Sequence, residues 1–185
     1  LILTDREIKL AIERGVIDID PKPDPLCYSS TAVDLKLDPS STEFKKEVGG
    51  LELILDPSHP DFQSEETLSQ ISERKAIDNA NGFLLRPQSL VLAWTQEYVN
   101  LAYHNRIAAR VEGKSSLARL GIGVHITAPT IHAGFKGRIR LEIVNHGPVP
   151  IRLRTGMRIC QLIFEQTLGT PEKGYQGQFA GQSAQ

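Results

Sequence analysis

The stretch GKSSLARLG, residues 113–121, gathers a lysine, two serines and an arginine between glycines. Gly113 permits a sharp turn, and Ser115 or Ser116 can cap a brief helical turn after it. Exposed backbone N–H groups there, with Lys114 and Arg119 close by, would suit phosphate oxygens. Arg119 lies four residues after Ser115, so the two share one helical face. A capped turn carrying surface cations accounts for the same residues, and the local pattern leaves both open. The GxxxxGK[ST] spacing of a P-loop is absent.

In RIRLEIVN, 138–145, Ile139, Leu141 and Ile143 alternate with Arg138, Arg140 and Glu142. Either the polar set pairs on a solvated face, or Glu142 enters a pocket and shuttles protons. HITAPTIHAGFKG, 125–137, carries His125 and His132 with no acidic residue at metal-ligand spacing. It suits a strand ending in a loop whose free backbone polar groups could read the edge of a flat heterocycle. Ordinary core or surface placement of both histidines is the alternative.

The elements that must position these groups are mostly strands. TDREIKLAIERG opens with a capping box, Thr4 with Glu7, and Gly15 supplies a stop, which predicts one short helix at the edge of the domain. PKPDP at 21–25 is a stiff connector. Period-two runs follow: TAVDLKL, LELIL, FLLRP, LVLAWT, RIAARV, GVHIT, RIRLEIVN, PIRLRTG and RICQLIF, separated by Gly, Pro, Asn and Asp. Many short strands without long intervening helices argue for a sandwich or barrel. The polar segment 63–80 is a helix or a surface excursion.

At 185 residues and 40% hydrophobic composition the chain can bury one core, and a single domain over 1–185 is expected. A net charge of -1 gives no case for a general nucleic-acid or membrane surface. Cys27 and Cys160 are far apart without CxxC spacing, so neither a disulfide framework nor a thiolate zinc site follows. Cys160, in MRICQLIF, reads as a buried free thiol. No apolar run is long enough to cross a bilayer, and a cytoplasmic location is expected.

Taken together, GKSSLARLG, VHITA, AGFKG, LEIVNHG and GMRICQLIFEQ resemble the dCTP deaminase family, whose wider superfamily includes the homotrimeric dUTP diphosphatases. The likeness runs from TDREI through TAVDLKL to YQGQ, with SSLAR and LEIVN its specific part. It implies a mainly β, distorted β-barrel or jelly roll of the dUTPase-like (β-clip) type, with a short N-terminal helix and a C-terminal lid over 169–185. It also implies a homotrimer with active sites between subunits, and metal-independent deamination of dCTP to dUTP and ammonia. Mg²⁺ would ride on the triphosphate, with no zinc; dUTP is a further ligand, and dTTP, a common feedback inhibitor of such enzymes, another.

By the same resemblance Glu142 is the general acid and base. Ser115 orients the water or the exocyclic amine, and Arg119 sits near that water. The Ala128 carbonyl holds the water while main-chain groups around Thr127 read the pyrimidine. Lys114 and Ser116 face the triphosphate, Gln161 lies near the nucleotide, and Asp34 has a structural or interface role. Two departures stand out. Where many members carry IDxG, this chain has IHAG, which puts His132 in place of the aspartate that activates water in the diphosphatases. That counts against dUTP hydrolysis and against a bifunctional, dUMP-releasing enzyme, the alternative along with a non-catalytic nucleotide-binding regulator. In the tail, Tyr175 and Gln178 keep part of the lid pattern, but Lys173 is displaced by one position.

Overall fold

The computed structural model describes residues 1–45 and 54–175. The first three residues of the LELIL run, Gln178 and the lid beyond Tyr175 lie outside the described residues. The opening helix, α1 (Asp5–Glu13), forms as its capping box predicts: the Thr4 N–H donates to Glu7 Oε2 at 3.2 Å, and Gly15 follows the last turn at φ +68°. Ile8 anchors it, fully buried.

Twelve strands follow among the described residues: β1 (Asp18–Asp20), β2 (Tyr28–Ser29), β3 (Ala32–Phe44), β4 (Ser72–Ala76), β5 (Phe83–Leu85) and β6 (Leu90–Asn100) in the first half. The second half holds β7 (Ile107–Gly113), β8 (Ile122–Gly123), β9 (Thr130–Ile131), β10 (Lys136–Asn145), β11 (Ile151–Leu153) and β12 (Arg158–Gln166). Ten of them make one sheet with the path β8-β10-β6-β3-β12-β7-β9, while β5 and β11 form a separate pair. The chain is mainly β, as expected. Two more helices are α2 (Ser64–Ile71) and α3 (Ser115–Ala118). None of the described helices is long and apolar enough to cross a membrane.

Three sequence expectations change. TAVDLKL does not stop at the following DPSS; β3 continues to Phe44 because Pro39 sits at a register shift between Leu37 and Ser41. A proline is tolerated there, having no ladder hydrogen bond to donate, and its carbonyl accepts the Ile77 N–H. GVHIT is strand only at its first glycine; residues 124–129 leave the sheet as an irregular loop. The polar 63–80 segment is neither helix nor excursion alone, since α2 leads directly into β4, which pairs with β3.

The ladder between β6 and β10 also shifts, between Arg138 and Arg140, and polar side chains fill the irregularity. Thr95 Oγ1 accepts the Ile139 N–H at 3.0 Å and donates to the Glu97 carbonyl at 2.9 Å. Glu97, 2% exposed, accepts the Lys36 N–H at 2.9 Å. Burial pushes its carboxyl above the ordinary value of 4.5, and the Lys36 N–H only partly opposes this. A carboxyl raised in the folded state takes up a proton there before the unfolded chain does. Stability from this group is therefore full below the unfolded value and lost as pH rises through the folded one. Glu97→Gln, which keeps an acceptor for Lys36, should raise the melting temperature by a few degrees at pH 8 and hardly at pH 4. Equal shifts at both pH values in a thermal scan would contradict this.

Candidate active site

The alternation in RIRLEIVN is realised on β10. Ile139, Leu141 and Ile143 are buried, and Asn145 continues that face into the core. Arg138, Arg140 and Glu142 lie on the other face, yet they do not pair with one another. Arg138 bonds the buried Asp38, and Arg140 Nη1 bonds Glu65 Oε1 of α2 at 2.9 Å. The pairing offered for a solvated face is thus absent at Glu142. Its Oε2 instead accepts the Ile126 N–H at 3.4 Å.

Glu142 lines a pocket of about 240 Å³ with His125, Ala128, His132, Arg140 and Tyr175 around it. Apolar side chains, among them Val111, Ile131 and Phe135, complete its walls. The loop after β8 and the turn before β10 therefore bring HITA and IHAG to one carboxylate. Gly134, at φ +93°, makes this possible: its N–H donates to the Leu101 carbonyl, and any Cβ would fall 2.5 Å from the Tyr175 nitrogen. Tyr175 N–H in turn donates to the Ala133 carbonyl at 3.1 Å. Its ring stacks on His132 with centroids 5.4 Å apart and planes at 17°. Thr127, by contrast, is exposed and outside the pocket's lining.

The GKSSLARLG residues occupy different ground. Lys114, not a serine, holds the N-cap position of α3, and no side chain caps it. β7 runs through Gly113 and leaves Lys114 extended at φ -88°, ψ 128°, so Ser115 and Ser116 are already helical. Lys114 Nζ lies 2.5 Å from Asp34 Oδ1, and Arg158 Nη1 approaches Asp34 Oδ2 at 3.3 Å. Asp34, buried, thus bridges two cations. Gln161 pairs in register with both Asp34 and Glu112, and its amide donates to the Gly113 carbonyl at 3.1 Å. Ser115, Ser116 and Arg119 are exposed and line no part of the Glu142 pocket.

A family model described as dCTP deaminase-like matches residues 2–167. The chain belongs to that family. It is 38% identical to a Methanobrevibacter smithii protein named dCTP deaminase, dUMP-forming, over 92% of this chain and 82% of the relative. It is 37% identical to a Shewanella amazonensis dCTP deaminase, over 94% of this chain and 87% of the relative. Among solved structures, the dCTP deaminase of Agrobacterium tumefaciens superposes with a TM-score of 0.67 at 21% identity. That match covers 89% of this chain, which spans about half the length of the solved one.

Within this family's fold, sequence reasoning found Glu142, Ala128, His132 and Tyr175, which the pocket unites. It missed Arg140 and His125 as lining residues. A signal existed for Arg140: it stands two residues before Glu142 on a period-two strand and must share its face. Buried Cys160 is a free thiol, as expected, and burial pushes its titration far up. Cys27 is likewise a buried free thiol with its titration raised by burial.

Proposed function

We propose that this protein catalyses the hydrolytic deamination of dCTP, with Glu142 as general acid and base. One observation carries it: in a chain of the dCTP deaminase-like family, the motif glutamate stands in a pocket with Ala128, His132 and Tyr175. Water attacks C4 of cytosine while Glu142 takes one of its protons and passes it to N3. The remaining hydroxyl proton then goes to the amine, the C4–N bond breaks, and ammonia leaves. Main-chain groups of the Thr127–Ala128 loop would orient ring and water.

Ser115, Ser116 and Arg119 enter this scheme from a second copy of the chain. Their exposure supports that reading, as do exposed Leu120 and Ile126 near them in sequence, apolar groups of the kind an interface covers. That the copies number three, with shared sites, is what the family resemblance supplies to this reading. By the family resemblance, Mg²⁺ would be carried on the triphosphate oxygens. Lys114 would contribute to phosphate binding only after exchanging Asp34 for it.

We take dUTP as the released product; what supports this is His132, stacked on Tyr175, in the diphosphatase-type position. A dUMP-forming enzyme is the second reading, favoured by the name of the M. smithii relative. Purified protein given dCTP, and separately dUTP, should release ammonia from the first and no pyrophosphate from either. Pyrophosphate from dUTP would establish the second reading, and failure to release ammonia would overturn the deaminase.

A further inference from the structure

Arg140 is the one fixed cation in the lining of the Glu142 pocket among the described residues, and its donors are unevenly used. One edge of the guanidinium is held by Glu65 at 2.9 Å, and its central carbon lies over the ring of Trp94, the residue directly opposite on β6, 5.3 Å from the ring centroid. Nε is buried without a hydrogen-bond partner. A buried donor without an acceptor is unfavourable, which marks a place where an acceptor is missing.

Placement on the strand narrows what that acceptor is. Residues two apart on one face of a strand are separated by roughly 7 Å. Arg140 and Glu142 can therefore flank a single pyrimidine ring, or hold one the ring and the other a neighbouring oxygen. Resting on the nucleotide reading above, we propose that Arg140 is a ligand-binding residue that donates to an acceptor oxygen of the nucleotide. That oxygen belongs either to the 2-carbonyl of the ring or to a phosphate. An anionic ligand entering beside a carboxylate needs a compensating cation, and Arg140 stands in that same lining.

Glu65 is then a positioning residue acting through Arg140. Its side chain is 55% exposed and Arg140's 18%, so the pair adds little to stability, because surface ion pairs are screened. Its effect is orientation: with Nη1 committed to α2 and the central carbon held over Trp94, the rest of the guanidinium has little freedom to turn. The polar segment carrying α2 thereby gains a connection to the site.

The test compares Arg140→Met, Arg140→Lys and Glu65→Gln. In steady state with dCTP, Arg140→Met should raise KM about 10- to 100-fold and lower kcat by less. Arg140→Lys should recover only part of the loss, because lysine keeps the charge and lacks the planar fork. Glu65→Gln should raise KM a few-fold with an unchanged melting temperature; an unchanged KM would overturn the positioning role. Calorimetry with deoxycytidine, dCMP and dCTP, in a Glu142→Gln background that prevents turnover, identifies the oxygen. Equal losses for all three upon Arg140→Met mean the ring carbonyl; a loss confined to dCMP and dCTP means phosphate. Unchanged affinity for all three overturns the proposal while leaving the deaminase reading intact. A parent protein that binds none of them overturns both.

Discussion

Glu142→Gln should lower kcat for dCTP by about 10³-fold while the nucleotide still binds. The substitution keeps the shape of the side chain and an oxygen that can accept the Ile126 N–H, so the loop after β8 has no reason to move. What it removes is the ability to take a proton from water and return it to the ring. An amide cannot do either near neutral pH, and no other carboxylate lines the pocket among the described residues. The decisive pair of measurements is single-turnover ammonia release and calorimetric affinity on the same preparation. Activity within tenfold of the parent would return Glu142 to an ordinary polar strand position. Loss of binding together with activity would show a structural role.

Two inactive variants should restore one another when mixed. Arg119→Ala removes a cation that, in the shared-site scheme, one subunit lends to the Glu142 pocket of the next. Glu142→Gln removes the acid–base group of the receiving subunit. In that scheme, homotrimers of either variant contain no complete site. In a random one-to-one mixture, however, about a quarter of the sites would join an intact Glu142 to an intact Arg119. Co-expression of differently tagged chains, purified through both tags, should therefore recover a substantial fraction of the parent activity. Recovery at the level of the separate variants would sink the shared site, because a site contained in one chain cannot be complemented. The exposure of Ser115, Ser116 and Arg119 outside the pocket makes this the sharper test of assembly than mass alone.

Local signals in the chain were legible where neighbouring residues decide the outcome. The Thr4–Glu7 box starts α1, Gly15 ends it, and alternation in RIRLEIVN correctly separates the buried Ile139, Leu141 and Ile143 from Glu142. They failed where a distant strand decides. A serine cap looked suitable for α3, but pairing of β7 with β12 carries the extended backbone through Gly113 and hands the cap position to Lys114. DPSS falls among the Pro and Asp breaks between strands, but pairing with β6 on either side of a bulge, and with β4 from Ser40 on, keeps β3 extended. Glu97 shares the period-two face of Ala93, Thr95 and Val99 on β6, but its partner, a main-chain N–H on β3, could not be read from spacing along one strand.

The same division holds for function. By itself the sequence determined the family, through SSLAR and LEIVN, and the strand face on which Glu142 stands, because both depend on order and spacing along the chain. Only the tertiary structure decided what surrounds that carboxylate. It brought His132, Ala128 and Tyr175 to the pocket from loops and the chain's far end, set Arg140 between Glu65 and Trp94, and tied Lys114 to Asp34 across 80 positions. A pocket is made by contacts between residues remote in sequence, and periodicity along one strand carries no information about what another segment lays over it.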